Sequence, residues 1–481
     1  MAWLLRALLL GLSAQQLVIA TTASNNDAAQ PPAAAGSNED LAYEQIHKSQ
    51  IVYTSNSTTS SEWISTNICS QKTYCIYTNP YIGHGRGIVL LTKFADFQKI
   101  ERLDQHLSLA SDRIEPNALL PDGSPPFEES YILSKGPGLT ARTELRRGKP
   151  LMEAAPVLVV HKDFFADIWR KTERNKMLEK AVSFLPPATK EKFNKQRHIT
   201  IGSIPDSSRA DAEDGQKART IEEILLASPF EIDLGTNSYT PMGHDPQGDH
   251  SKHYINYPST SLFTHSCRPN LAFHIDGNLA LRTTVARKIQ PGEELSIAYI
   301  DPFKPRKERQ EWVGRYRPSP SQTGAGGEEE EGGGCPCPSC TGLYPRITHK
   351  QHGHPHTSSP SSELAKSDAR LAEIEAIRSE LRNHESRGVT PEKIEKFLQL
   401  HVEEGLETKM AEAYELAATN YNYMGMDRMA KRYADKAVQA AQIEYGRDAN
   451  DVIAMRIMAG DVRGHWSFGY KSKDKRGGGG Q

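Results

Sequence analysis

Four cysteines in the second half of the chain, Cys267, Cys335, Cys337 and Cys340, offer thiol chemistry. Thiols bind soft metals as thiolates or join as disulfides, and compartment decides between them. Cys267 stands in the polar stretch Ser261-Leu262-Phe263-Thr264-His265-Ser266-Cys267-Arg268-Pro269-Asn270. Further on, Gly292-Glu293-Glu294-Leu295-Ser296-Ile297-Ala298 leads to Tyr299, a phenol at the end of a predicted strand. Upstream, Gly136-Pro137-Gly138-Leu139 supplies glycines, which let a backbone approach a ligand closely and take positive φ. The remaining cysteines, Cys69 and Cys75, flank a short polar turn. They form a disulfide in an oxidising compartment or remain two thiols in a reducing one.

These residues need elements to hold them. Residues 271–274 and 279–286 are short apolar runs with β-branched members, and Asp276-Gly277-Asn278 separates them as a hairpin turn does. Gln290-Pro291-Gly292 is a second turn signal. The Gly136-Pro137-Gly138 segment reads as a loop, followed by a strand, a turn at Gly148 and one apolar strand over 153–160. Residues 163–181, 190–195 and 221–226 carry apolar residues at helical spacing, and Pro186-Pro187 divides the first two. Residues 230–234 return as a strand. Residues 75–78 and 87–92 are strands around Gly83-His84-Gly85-Arg86-Gly87, which reads as a hairpin turn. A phosphate cradle there would need a following helix, and none is predicted. Arg309, Trp312 and Val313 fall on one helical face.

The motifs resemble the SET domain, the AdoMet-dependent protein lysine methyltransferase fold. In that family an Asn-His-Ser-Cys-x-Pro-Asn segment threads beneath a Gly-Glu-Glu-Leu…Tyr segment, and here the two read Thr-His-Ser-Cys-Arg-Pro-Asn and Gly-Glu-Glu-Leu-Ser-Ile-Ala-Tyr. Gly136 to Leu139, with the strand–turn–strand behind them, are similar to the N-terminal SET signature. The resemblance implies an α+β fold: a SET-type β-fold with a helical insertion, followed by an all-α, tetratricopeptide-like C-terminal domain. It implies that Gly136, Pro137, Gly138, Leu139, Thr264, His265 and Tyr299 bind S-adenosyl-L-methionine, and that Tyr299 is catalytic. It also implies that Cys267, Cys335, Cys337 and Cys340 hold one structural zinc, as in a post-SET element. Thr264 departs from the family's Asn, and losing one amide hydrogen bond to the cofactor costs about 0.5–1.5 kcal/mol. SMYD-type SET proteins carry a similar helical C-terminal domain, but the cysteines for their MYND finger are missing here.

The implied organisation is a signal peptide over 1–23, a linker over 24–60 and a β-rich region over 61–127. The SET domain follows over 128–300, with its helical insertion at 161–230. Next come a post-SET segment over 301–345 with an acidic Gly-rich loop, a linker over 346–361, a helical domain over 362–460 and a tail over 461–481. Thr390-Pro391 opens a helix as N-cap and first residue, and Gly405 closes it. The run His349, His352, His354 and His356 reads as a solvated linker rather than a metal site. The formal net charge is −2, so no global basic field draws the chain to nucleic acid or anionic membrane. No stretch reaches membrane-spanning length.

Two readings follow. One is a protein-lysine N-methyltransferase acting on an accessible lysine, histone or non-histone, with partner proteins on the helical domain. The other is a non-catalytic SET-fold interaction protein, motivated by Thr264 and by an apolar N-terminal segment that points to the secretory route. The Asn56-Ser57-Thr58 sequon fits that route, whereas a cytoplasmic or nuclear location suits a supply of AdoMet.

Overall fold

A computed structural model describes residues 63–101, 107, 109–133, 135–196, 219–227, 230–233, 251–316, 335–342 and 360–470. The predicted leader and first linker, the Asn56 sequon, the acidic Gly-rich loop, the histidine run and residues 471–481 lie outside them.

The first elements are strands β1 (Ile64–Ser70), β2 (Tyr74–Asn79) and β3 (Ile88–Thr92) and helix α1 (Phe94–Glu101). β1 and β2 form an antiparallel hairpin in which Cys69 faces Cys75, and the two are joined by a disulfide. The glycine-rich run turns the chain back, so β2 pairs antiparallel with β3. There His84 takes the left-handed region between Gly83 and Gly85. The strand at β1 and the helix at α1 were not expected from sequence.

Strands β4 (Arg113–Ile114), β5 (Phe127–Ile132), β6 (Gly136–Ala141), β7 (Pro150–Ala154) and β8 (Leu158–His161) follow. Two expectations are corrected here. Gly136 to Gly138 are not a loop but the start of β6, paired antiparallel with β5. The single apolar strand expected over 153–160 is two strands in different sheets: β7 pairs with β13 (Leu281–Val285), and β8 pairs with β3. Pro156 lies between them, and a residue without an N–H cannot continue a ladder.

The insertion is helical, with α2 (Lys171–Ser183), α3 (Pro187–Lys195, proline at its first turn) and α4 (Ile221–Ala227). Strands β9 (Phe230–Asp233) and β10 (Lys252–Asn256) close it. One six-stranded sheet runs β1-β2-β3-β8-β10-β9. Residues 64–92, expected as a region of their own, are therefore hydrogen-bonded into the sheet that β8 and β10 complete. A four-stranded sheet runs β12-β13-β7-β4, where β12 is Leu271–Ile275. Its hairpin turns at Asp276, whose carboxylate accepts from the backbone N–H groups of Asn278 and Ala280, as the Asp-Gly-Asn signal predicts. β11 (Thr264–His265) and β14 (Ser296–Ile297) form a separate parallel pair. Leu90, Leu151, Phe263, Leu271, Leu281, Leu295 and Tyr299 share one buried cluster that joins these layers.

Helix α5 (Arg306–Tyr316) buries Arg309 and Val313. The C-terminal region is helical: α6 (Pro360–Arg382), α7 (Pro391–Glu403), α8 (Met410–Tyr423), α9 (Asp427–Glu444) and α10 (Asn450–Gly460). The Thr390 hydroxyl accepts from the backbone N–H of Lys393, the expected N-cap bond. The rings of Tyr421 and Tyr433 stack 5.5 Å apart, and both hydroxyls donate to Glu395. The chain is thus α+β, with sheets first and helices last.

Candidate active site and metal centre

Two short strands create the site. β11 and β14 run parallel, Thr264 opposite Ser296 and His265 opposite Ile297, although 30 residues of hairpin and turn separate them. Parallel pairing requires a crossover, so the Thr264–Asn270 stretch passes beside the Glu293–Tyr299 stretch rather than folding back on it. Asn270 fastens the crossing: its amide donates to the carbonyl of Glu294 at 2.7 Å, and its Oδ1 accepts from the N–H of Ser296 at 3.0 Å.

β6 joins from the other side. Gly292 N–H donates to Ala141 O at 2.7 Å, and Leu295 N–H donates to Leu139 O at 2.8 Å. Gly138 lies so close to the crossing that a Cβ there would sit 2.8 Å from the Thr264 side chain and 2.7 Å from that of Ile132. Only glycine allows this approach. The N-terminal and C-terminal motifs, more than a hundred residues apart, thus meet at Thr264. Gly136, Gly138 and Leu139 are buried in that contact, whereas Pro137 is exposed.

Tyr299 is 4% exposed. Its hydroxyl donates to the carbonyl of Phe263, and its backbone N–H donates to His265 Nδ1 at 3.0 Å. A phenol that has given its proton to a carbonyl presents its oxygen lone pairs as acceptors. Such an oxygen can accept a hydrogen bond from an amine or make C–H···O contacts. Thr264 makes a side-chain contact that the sequence does not announce. Its hydroxyl donates to Glu294 Oε1, and the same oxygen takes the ammonium of Lys135 at 2.6 Å. Lys135 also donates to His265 O at 3.0 Å. Sequence reasoning missed Lys135 and gave Glu294 no role. The available signal was a lysine directly before Gly136 and an acidic pair after Gly292, which an ion pair can join.

The four thiols Cys267, Cys335, Cys337 and Cys340 converge. All are buried, and their sulfurs lie within 4.8 Å of one another. Cys267 Sγ is 3.5 Å from Cys340 Sγ and 3.9 Å from Cys335 Sγ. A tetrahedral zinc with Zn–S bonds of about 2.3 Å sets its sulfurs about 3.8 Å apart, so the donor set fits. The four remain unjoined by disulfides. Arg309, fully buried, brings Nη2 to 3.9 Å from Cys340 Sγ. Burial opposes its charge, but the sulfurs of Cys267 and Cys340 hold its pKa above the ordinary value. Gln310 braces the loop, accepting from Cys335 N–H at 2.5 Å. The helical face predicted from Arg309 and Val313 therefore packs against this centre.

Among the described residues a second group of possible metal ligands is Asp96, His161 and His253, all buried. Asp163 N–H donates to His161 Nδ1 at 3.1 Å, which puts the ring proton on Nε2, 3.2 Å from Asp96 Oδ2. That nitrogen holds a proton, not a lone pair, and donates to the carboxylate. Asp96 also accepts from Ser251 Oγ and from Lys99 Nζ. Burial opposes its charge, but these bonds keep its carboxyl well below the usual range. His253 donates through Nδ1 to Ser251 O and accepts from Thr92 Oγ1 at 2.7 Å; burial pushes it down to about 3. This network braces β3, β8, β10 and α1.

The sheet-rich and helical regions share a buried ion pair. Arg268 Nη2 meets Glu404 Oε1 at 2.5 Å, and Arg268 Nε donates to Glu404 O at 2.7 Å. Arg370 and Ser367 of α6 hold the same carboxylate.

Comparison with known proteins agrees with this geometry. Residues 136–300 match the SET domain family model. Over 54 residues, 11% of this chain, the sequence is 46% identical to histone-lysine N-methyltransferase SMYD3 of Mus musculus. That match spans about 12% of the relative's length. No helix among the described residues is long and apolar enough to cross a membrane. The motifs that meet at Thr264 and Tyr299, together with the family match, show that the chain carries a SET domain over residues 136–300, with a short stretch similar to SMYD3.

Proposed function

We propose that this chain is a protein-lysine N-methyltransferase that moves a methyl group from AdoMet to a lysine amine. One observation carries the reading: the parallel pairing of Thr264–His265 with Ser296–Ile297, which sets the Tyr299 hydroxyl against the Phe263 carbonyl. AdoMet, when bound, supplies a methyl on a positively charged sulfur. The chain's own work is to hold and to orient. Tyr299 Oη accepts from the lysine amine and aims its lone pair, which is worth more in a water-poor setting. Gly136, Gly138 and Leu139, with Thr264 and His265, form the backbone wall along which the cofactor is held. The close approach of Gly138 to Thr264 supports that wall.

The four thiols fit one structural zinc, which would close the post-SET segment over the crossing. The substrate is a protein with an accessible lysine. The helical region is a surface for partner proteins. Location stays between the secretory route, favoured by the N-terminal segment and the Cys69–Cys75 bond, and the nucleus or cytoplasm.

The second reading, a non-catalytic SET-fold interaction protein, is favoured by Thr264. Its hydroxyl is committed to Glu294 rather than directed at a ligand. Titration calorimetry of the full chain with AdoMet separates the two. Binding near one equivalent, followed by tritium transfer to a lysine-rich protein extract, is the expected result. No heat of binding and no transfer, from protein of native secondary structure, hands the case to the interaction reading.

A further inference from the structure

His265 stands between the sulfur cluster and the tyrosine. Its Nδ1 accepts the backbone N–H of Tyr299 at 3.0 Å. A backbone amide can only donate, so in the neutral ring the proton is on Nε2. That Nε2 lies 3.3 Å from Cys267 Sγ and therefore donates to sulfur. The residue is 1% exposed. Its backbone is paired with Ile297, and its carbonyl holds Lys135. One imidazole thus spans the whole gap from a thiol of the four-cysteine site to the amide of Tyr299.

We infer that His265 is a positioning residue through which metal occupancy of the four-thiol site sets the backbone at Tyr299. The inference rests on the zinc reading above. A metal-bound cysteine is a thiolate, and an N–H bond to an anionic sulfur is charge-assisted and stronger than one to a neutral thiol. Loading the site tightens the Nε2–H···S bond and fixes the ring. A fixed ring holds the Tyr299 N–H in place, and with it the phenol that Phe263 grips from the other end. Removing the metal frees the Cys267 sulfur that the ring is hydrogen-bonded to, so the ring and the Tyr299 amide loosen together. A zinc held by these four thiols would therefore do more than close a loop: through His265 it would order the tyrosine from behind.

The test is hydrogen–deuterium exchange of the full chain, resolved to the Tyr299 amide, with zinc(II) loaded and after chelation. Zinc content is measured separately on each sample. In wild type, chelation is expected to speed exchange at Tyr299 by about tenfold, one modest hydrogen bond's worth, while β3 stays protected. His265→Asn keeps an acceptor near the Nδ1 position but has nothing to reach the sulfur. Its Tyr299 amide is expected to exchange at the same rate in the zinc-loaded and the chelated protein. The same zinc dependence in His265→Asn as in wild type overturns the inference. So does zinc-loaded wild type whose Tyr299 exchange ignores chelation. Equal loss of protection in β3 and at Tyr299 also overturns it, because that reports domain loosening rather than a local link. Should His265→Asn not fold, the wild-type comparison alone decides. Wild type and Cys337→Ser with equal, low zinc content refute the metal reading itself, an outcome seen in the metal analysis and not in the exchange.

Discussion

Tyr299 donates its hydroxyl proton to the carbonyl of Phe263, 36 residues earlier in the chain. With its proton engaged, the oxygen is left as an acceptor, the role that the proposed transfer to a lysine amine requires.

Removing that oxygen is the direct test. Tyr299→Phe loses one hydroxyl and little volume, so folding should change little. Methyl transfer is expected to fall about 10²-fold or more, roughly 2.7 kcal/mol of transition-state stabilisation, with AdoMet binding largely kept. A tritium-transfer assay with calorimetry on the same samples measures both. Equal turnover in the two proteins would remove Tyr299 from the mechanism.

The junction of the two regions makes a stability prediction. Glu404 is nearly enclosed and takes Arg268, Arg370 and Ser367 together. Glu404→Ala leaves two guanidinium groups facing a buried gap. Breaking one side of such a pair costs about 3–5 kcal/mol, and urea unfolding is expected to show a loss of that order. Arg268 also donates to Cys267 O at 2.6 Å, so looser zinc retention should accompany it. An unchanged urea midpoint would show that the regions are held together by other contacts.

Glu444 predicts how stability follows pH in the helical region. Burial pushes its carboxyl up to about 8, against the opposing pull of Lys409 and of the Ala411 N–H it accepts at 2.8 Å. The folded state therefore keeps a proton that the unfolded chain releases near pH 4.5. Its contribution is fully present below about pH 4.5 and is lost as pH rises through 8. Glu444→Gln, always neutral, is expected to flatten the decline and to be the more stable protein at pH 8 by a few kcal/mol, on the order of the linkage term. Thermal unfolding at pH 5, 6.5 and 8 checks it. A wild type whose Tm does not fall relative to Glu444→Gln over that range would refute it.

The sequence by itself determined the local grammar of this protein. Asp276-Gly277-Asn278 dictates a hairpin because the aspartate caps its own turn. Thr390-Pro391 dictates a helix start because a hydroxyl acceptor and a fixed φ suit that position. The four cysteines and the motifs ending at Tyr299 were readable as a set because their order and residue types are specific. The partition of 153–160 into two sheets was not, because an apolar run with one proline is compatible with a single strand until its neighbours are known. Gly136 to Gly138 likewise read as a loop from sequence alone, although they open β6. One pairing partner, residues 127–132, is the neighbouring hairpin strand, but the other, residues 292–295, lies far away in sequence.

Only the tertiary structure decided who touches whom at the site. Hydrogen bonds between residues 30 to 160 positions apart leave no periodicity to read. The Lys135–Glu294–Thr264 junction, the Arg268–Glu404 pair and the His265–Tyr299 bond each need the crossing of β11 and β14, or the packing of the helical region, before their partners exist. Sequence supplies the side chains that can make such bonds. The parallel crossover, which no local signal encodes, brings them within reach.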